Sequence, residues 1–298
     1  MLTEKQKENR FNGIGGSDIS AILGISPYKT PVELFNEKIN KTVDYAENFS
    51  IKRGNALEPI IIEEYENITG NIVYNNGTIH DKEHNFLFAN LDGYVENDMG
   101  EIKIVVEAKS TNRKKIWGEP GTDQIPDYYL AQAAHYAYIT DCEKVDIAVA
   151  FNDSVNLYYY SRNEELEKAI RNKAIEFWNL VTKRIPPAPL CKNDIELIYK
   201  CSGTSIEADA AILKDLESFI SIKETIKNAQ NKEKKIRDKI AIYLKNNEIL
   251  TYKGKTIATY KEQKAPKRID VKRLQKENPD IAKQYTISGN AQRRLLIK

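Results

Sequence analysis

Leu91-Asp92-Gly93-Tyr94, followed fifteen residues beyond Asp92 by Glu107-Ala108-Lys109, is the pair of segments on which the fold of this chain turns. On a strand, alternate side chains share a face, so Glu107 and Lys109 project together while Ala108 turns away and leaves its carbonyl beside them. Between the two segments, Glu96-Asn97-Asp98-Met99-Gly100 has the composition of a hairpin turn. Folding back through that turn brings Asp92 alongside the pair, within an offset that a bulge absorbs. Two carboxylates and one ammonium then meet at one point.

Carboxylates converging in this way repel each other unless a cation lies between them, and hard oxygen donors suit Mg²⁺, with Mn²⁺ able to substitute. A divalent ion held there activates water and neutralises charge on a phosphodiester, and the neighbouring ammonium orients the water or stabilises the transition state. Glu-x-Lys by itself is ordinary solvated surface. What singles out this instance is its setting beside the apolar runs Phe86-Leu87-Phe88-Ala89-Asn90-Leu91 and Ile102-Lys103-Ile104-Val105-Val106. An unpaired charge close to a core is costly.

Working outward, Gly13-Ile14-Gly15-Gly16-Ser17-Asp18 reads as a tight loop, with Ser17 or Asp18 as N-cap for a helix over Ile19 to Leu23. Thr30-Pro31 starts a second helix running to about Lys38, and a polar link follows. A third helix is expected from Gly54 to Thr69, with Glu58 in its first turn and Gly70 as C-cap. Asn71 to His80, Asn85 to Val95 and Glu101 to Ser110 alternate as strands and read as an antiparallel meander. Ile125 to Thr140 is helical by pattern, Lys144 to Phe151 and Asn156 to Ser161 are strand-like, and a helix from about Glu164 to Lys183 ends at a proline-rich boundary. Ile206 to Asn247 has the spacing of a long charged helix, an arm or a helical hairpin; residues 251–260 read as a small hairpin and Asp270 to Gln284 as a short helix interrupted near Pro279.

Asp…Glu-x-Lys in the order helix, three strands, helix, strand resembles the PD-(D/E)xK nuclease core. The opening Gly13 to Asp18 motif, with Ile22-Leu23-Gly24-Ile25-Ser26-Pro27-Tyr28-Lys29-Thr30, resembles the corresponding motif of the YqaJ-type viral recombinases of the lambda-exonuclease family. Gly54-Asn55-Ala56-Leu57-Glu58-Pro59 and Gln132-Ala133-Ala134-His135-Tyr136 are similar to that family's glutamate and glutamine motifs, so the resemblance spans roughly residues 10 to 185.

The resemblance implies an α/β (α+β) fold, a restriction-endonuclease-like core with a central mixed sheet flanked by helices. It implies that Asp92, Glu107 and the carbonyl of Ala108 hold a first metal, that Glu58 supports a second metal or its waters, and that Lys109 positions the nucleophile. Gln132 would hydrogen-bond the attacking water, Lys109 or a phosphate oxygen. Arg10 and Ser17, beside the glycine-rich turn, would bind a 5′-phosphate, where backbone N–H groups form an anion nest. Ser17 as a plain helix cap and Arg10 as a surface charge is the plainer alternative.

The implied activity is metal-dependent 5′→3′ exonucleolysis of double-stranded DNA, leaving 3′ single strands for homologous recombination. A single-strand annealing protein is the implied partner and a homotrimeric ring the implied assembly. A structure- or sequence-specific endonuclease using the same site, and a DNA-binding module that keeps the fold without the chemistry, remain open alternatives.

Composition agrees with this assignment without selecting it. At 298 residues, 41% hydrophobic and 30% charged, the chain is typical of folded, water-soluble proteins, and its length suggests two domains. We expect the nuclease domain over residues 1–190 and a basic, mainly helical C-terminal region over 205–298. Charge divides the same way: 23 basic against 31 acidic residues over 1–204, and 22 against 12 over 205–298. A basic extension on an acidic body points to a polyanion partner. No run approaches the ~18 apolar residues that span a bilayer, and Cys142, Cys191 and Cys201 form no pairing motif. A cytoplasmic protein is expected.

Overall fold

The computed structural model describes residues 9–42, 49–75, 77–287 and 293–297. The charged opening stretch 1–8 and most of the polar link after the second helix, 43–48, lie outside them. The chain divides into two units, Met1–Lys200 and Cys201–Lys298.

In the first unit, helices α1 (Gly16–Ile22), α2 (Pro31–Asn40) and α3 (Phe49–Thr69) precede strands β1 (Thr78–His80), β2 (Phe88–Asn90), β3 (Gly93–Glu96) and β4 (Ile102–Ser110). Helix α4 (Asp127–Thr140), strands β5 (Lys144–Phe151) and β6 (Ser154–Ser161), and helices α5 (Glu164–Lys183) and α6 (Lys192–Ile198) complete it. The central sheet has the order β3-β4-β5-β6. Strands β3/β4 and β5/β6 pair antiparallel, whereas β4 and β5 pair parallel, from Ile104↔Lys144 to Ser110↔Ala150. A parallel pair needs a crossover, and the segment containing α4 supplies it. The sheet is therefore mixed, as the family resemblance implies.

Period-two alternation decides which side of the sheet each residue serves. Val105 of β4 joins the core formed with α1, α4 and α5, which includes Ile19, Ala133, Ala137 and Ile170. Ile104 and Val106 point the other way and pack with Ile61 and Tyr65 of α3. Glu107 and Lys109 follow Val105, so the strand carries them toward the α4 side.

The expected antiparallel meander is corrected. β1 and β2 form a separate two-stranded sheet, Thr78↔Asn90 to His80↔Phe88, and β3 alone joins β4 in the central sheet. The chain breaks at Leu91-Asp92, because the Asp92 carboxylate takes the Ala108 N–H at 2.9 Å where another strand residue would continue the ladder. Of the expected strand over residues 71–80, only Thr78–His80 and a Tyr74↔Tyr94 bridge form, and Asn76 lies outside the described residues. Gly93 is required where β3 begins: a Cβ there would stand 2.4 Å from Cγ1 of Val73.

In the second unit, helix α7 (Ala210–Leu244) is followed by the hairpin β7 (Ile249–Tyr252) and β8 (Lys255–Thr259), then by α8 (Val271–Glu277) and α9 (Pro279–Gln284). Lys253 and Gly254 turn the hairpin with positive φ angles. Among the described residues no helix is long and apolar enough to cross a membrane.

Candidate active site

The β3/β4 ladder runs Tyr94↔Val105 and Gly93↔Val106, so one step further places Asp92 opposite Glu107. Glu107 is buried and Asp92 and Lys109 are half-buried. The Lys109 ammonium donates to Glu107 Oε1. The same oxygen accepts from Gln132 Nε2, 2.6 Å away across the gap to α4. Glu107 Oε2 is buried, and among the described residues no donor reaches it. Asp92, Glu107, Lys109 and Gln132 thus converge.

Gln132 is fixed from behind. Its Nε2 also donates to Tyr136 Oη at 2.9 Å, and that hydroxyl donates to the Asn90 carbonyl at 3.0 Å. Helix α1 presses against this side of α4: a Cβ on Gly16 would lie 2.4 Å from the Tyr136 ring and 3.1 Å from Gln132 Cγ. The glycine-rich stretch is therefore needed partly for packing. One turn before Gln132, Tyr129 lies under Lys109, whose Nζ is 5.3 Å from the ring centroid, and Tyr129 stacks on Trp117 at 5.3 Å.

Burial and the neighbouring Asp92 charge push the Glu107 carboxyl up to about 8, against the pull of Lys109 and Gln132. Burial also raises Asp92, despite Lys109 and the Ala108 N–H. For Lys109, burial works against the charged form, but Glu107 and Asp92 outweigh it and hold the ammonium above its ordinary value. Two carboxyls that resist ionising together, one with a buried oxygen that no donor among the described residues reaches, are what a hard divalent cation relieves. The donor set fits such an ion. Among the described residues, however, no three His, Cys, Asp or Glu side chains stand grouped for metal binding.

Glu58 needs a correction. Helix α3 starts at Phe49 and not at Gly54, so Glu58 sits inside it beside Pro59 and not in a first turn. Its acidity is not explained by a helix end. Burial raises the Glu58 carboxyl, the Asp92 charge raises it further and Lys109 lowers it, so the side chain feels the centre electrostatically.

Arg10, Ser17, Lys109 and Gln132 line one cavity of about 240 Å³, with Tyr28 and Tyr129. Ser17 is exposed and does not cap α1. The cap position belongs to Gly15, whose N–H is taken by Asp18 Oδ2 at 3.2 Å. Asp18 was expected at the cap; it is instead buried in an ion pair with Lys38, 2.6 Å away. Burial opposes its charge, but Lys38 and Arg10 outweigh that and keep its carboxyl below the usual range.

Lys38 and Tyr129 were not singled out as site-supporting residues from sequence, and Tyr136 entered only as part of the Gln132 to Tyr136 motif. Each had a signal: Lys38 continues the buried Pro31, Leu34, Phe35 face of α2, while Tyr129 and Tyr136 lie one turn either side of Gln132. His135 is a core residue, its Nε2 3.0 Å from the Phe88 carbonyl, and burial depresses its imidazole to about 4. Trp117 anchors the connection before α4, buried and packed against Tyr129 and Tyr158. His80 and His84 are half-buried.

Residues 6–143 match the profile of the YqaJ-like viral recombinase domain. The chain is 30% identical over 286 residues to the uncharacterized protein YqaJ of Bacillus subtilis (strain 168), an alignment covering 91% of this chain and 87% of that protein. Among solved structures it is similar to the alkaline exonuclease LHK-Exo of Laribacter hongkongensis, with a TM-score of 0.51 at 20% identity over 61% of this chain and 94% of that one. The complex of LHK-Exo with dAMP gives 0.52 at 19% identity, with the same coverage. At such identity the likeness is one of fold.

Proposed function

Since the chain belongs to the YqaJ family of viral recombinases, we propose that it is a divalent-metal-dependent deoxyribonuclease that digests double-stranded DNA from its ends, 5′→3′. One observation carries the proposal: Lys109 and Gln132, which touch the Glu107 carboxylate, line the same cavity as Arg10 and Ser17. A hydrolytic centre and an anion-binding pair sharing one cavity suit a substrate with a terminal phosphate next to the bond to be cut.

Asp92, Glu107 and the Ala108 carbonyl would hold Mg²⁺, and Glu58 would support a second ion or its waters. When bound, such an ion would supply a water of lowered pKa and would neutralise charge building on the phosphate. Lys109, anchored on Glu107 and resting over Tyr129, orients the nucleophile and donates to the phosphate oxygens in the transition state. Gln132 holds Glu107 in place through its amide nitrogen and offers its amide oxygen to the attacking water. Arg10 and Ser17 grip the 5′-phosphate, which sets the position of cleavage.

Residues 1–190 carry this activity in the proposal. The basic region 205–298 adds phosphate contacts that do not depend on sequence. By the family resemblance, the 3′ single strands left behind go to a single-strand annealing partner, and a homotrimeric ring would keep the enzyme on its substrate.

The test uses linear duplexes with and without a 5′-phosphate, and a closed circle, incubated with Mg²⁺. The expected result is digestion of linear DNA only, faster when phosphorylated. Lys109→Ala should bind without cutting, and Arg10→Ala should treat both kinds of end alike. Cutting by Lys109→Ala would overturn the assigned centre, and cutting of the circle would overturn action from ends.

A further inference from the structure

Four aromatic rings run from the core of the first unit to its surface and end at the cavity. Trp117 is buried and stacks on Tyr129; Tyr129 lies 4.4 Å from Tyr128, centroid to centroid; Tyr128 meets Tyr28 edge-to-face at 6.1 Å and 86°. Tyr28 is 69% exposed and also lines the cavity, so it stands at the rim. A single exposed tyrosine is ordinary on a protein surface. This one is held: its N–H donates to Ser26 Oγ at 3.2 Å, Pro27 restricts the preceding backbone, and Tyr128 braces the ring.

We infer that Tyr28 is a stacking platform for the nucleobase of the terminal nucleotide of the strand being cut. The platform rests on the nuclease assignment above. With the 5′-phosphate at Arg10 and Ser17 and the scissile phosphate at Lys109, the terminal nucleotide spans the cavity, sugar inside. Its base then has to leave toward the opening, where Tyr28 stands. An aromatic face accepts any of the four bases, because stacking uses the π-surface and not the hydrogen-bonding edge. The platform would therefore hold a frayed end without imposing sequence preference. Tyr28 is a positioning residue in this scheme.

The test is a binding cycle with the full chain, using 5′-phosphorylated duplexes whose terminal nucleotide is either intact or abasic, with Ca²⁺ replacing Mg²⁺ to hold back hydrolysis. Fluorescence anisotropy should show wild type preferring the intact end about tenfold, in the range of base–aromatic stacking. Tyr28→Ala should bind both ends equally, and Tyr28→Trp should regain the preference. A purely structural role would weaken both duplexes alike and leave their ratio unchanged. A preference undiminished in Tyr28→Ala, or no preference in a wild type that digests linear DNA with Mg²⁺, would overturn the platform while leaving the nuclease assignment intact. Failure of the wild type to digest any duplex with Mg²⁺ or Mn²⁺ would overturn both.

Discussion

Gln132 on helix α4 and Glu107 on strand β4 meet at 2.6 Å, amide nitrogen to carboxylate oxygen, and that contact joins the helical layer to the candidate centre. Lys109 donates to the same Oε1, and among the described residues no donor reaches the other oxygen of Glu107. The helix thus determines which carboxylate oxygen can serve an ion.

Replacing Gln132 should consequently damage metal binding before it damages the fold. For Gln132→Ala we expect a ~10–100-fold loss in metal affinity or in kcat, the range seen when groups orienting a metal ligand are removed. Titrating the rate with Mn²⁺ separates the two. Unchanged affinity and unchanged kcat would detach Gln132 from the centre.

Glu107 predicts a pH dependence whose sign is fixed. Its carboxyl rises from an ordinary 4.5 in the unfolded chain to about 8 in the fold, through burial and then the Asp92 charge. A raised carboxyl contributes stability that is complete below 4.5 and is lost as pH climbs through about 8. The metal-free protein should therefore lose Tm between pH 5 and 8. Because the ion displaces a proton, its affinity should climb over the same interval and level off above it. Calorimetry in buffers of different ionisation enthalpy would show the released proton; metal binding without pH dependence would contradict the assignment of Glu107 as ligand.

Tyr136→Phe removes one hydroxyl that accepts from Gln132 and donates to the Asn90 carbonyl. Stability should fall by about 1–3 kcal/mol, the cost of leaving a buried partner unsatisfied. Turnover should fall as well, with less effect on DNA binding. Urea unfolding and single-turnover cleavage would report the two effects independently.

Lys38→Met tests the buried ion pair beneath the glycine-rich loop. Removing the ammonium strands the Asp18 carboxylate, a change that typically costs ~3–5 kcal/mol. Asp18→Asn together with Lys38→Met should recover part of that loss, since neither charge then lacks its partner. If the single and double variants unfold at the same urea concentration, the pair does not stabilise the loop.

Much of the layout follows from local pattern alone. Alternation on β4 puts Glu107 and Lys109 on one face, and the turn at Gly100 folds Asp92 back toward them. These are consequences of periodicity and turn chemistry, which neighbouring residues set. Asp92, Glu107 and Lys109 were legible for that reason, Gln132 only through its likeness to the family's glutamine motif, and the Gly13 to Asp18 motif pointed to the family. What sequence reading missed depends on contacts between distant segments. The break at Leu91-Asp92 needs the Ala108 N–H across the ladder, and the burial of Asp18 needs Lys38 twenty residues away.

From the sequence alone came the chemistry of the centre, because carboxylate, amine and amide carry it wherever they are placed. Only the tertiary structure decided which Glu107 oxygen is held by donors and which, among the described residues, no donor reaches, and that Arg10 and Ser17 share a cavity with Lys109. Those are properties of packing, set by how α1 and α4 press together at Gly16, and no local pattern encodes the distance between two helices.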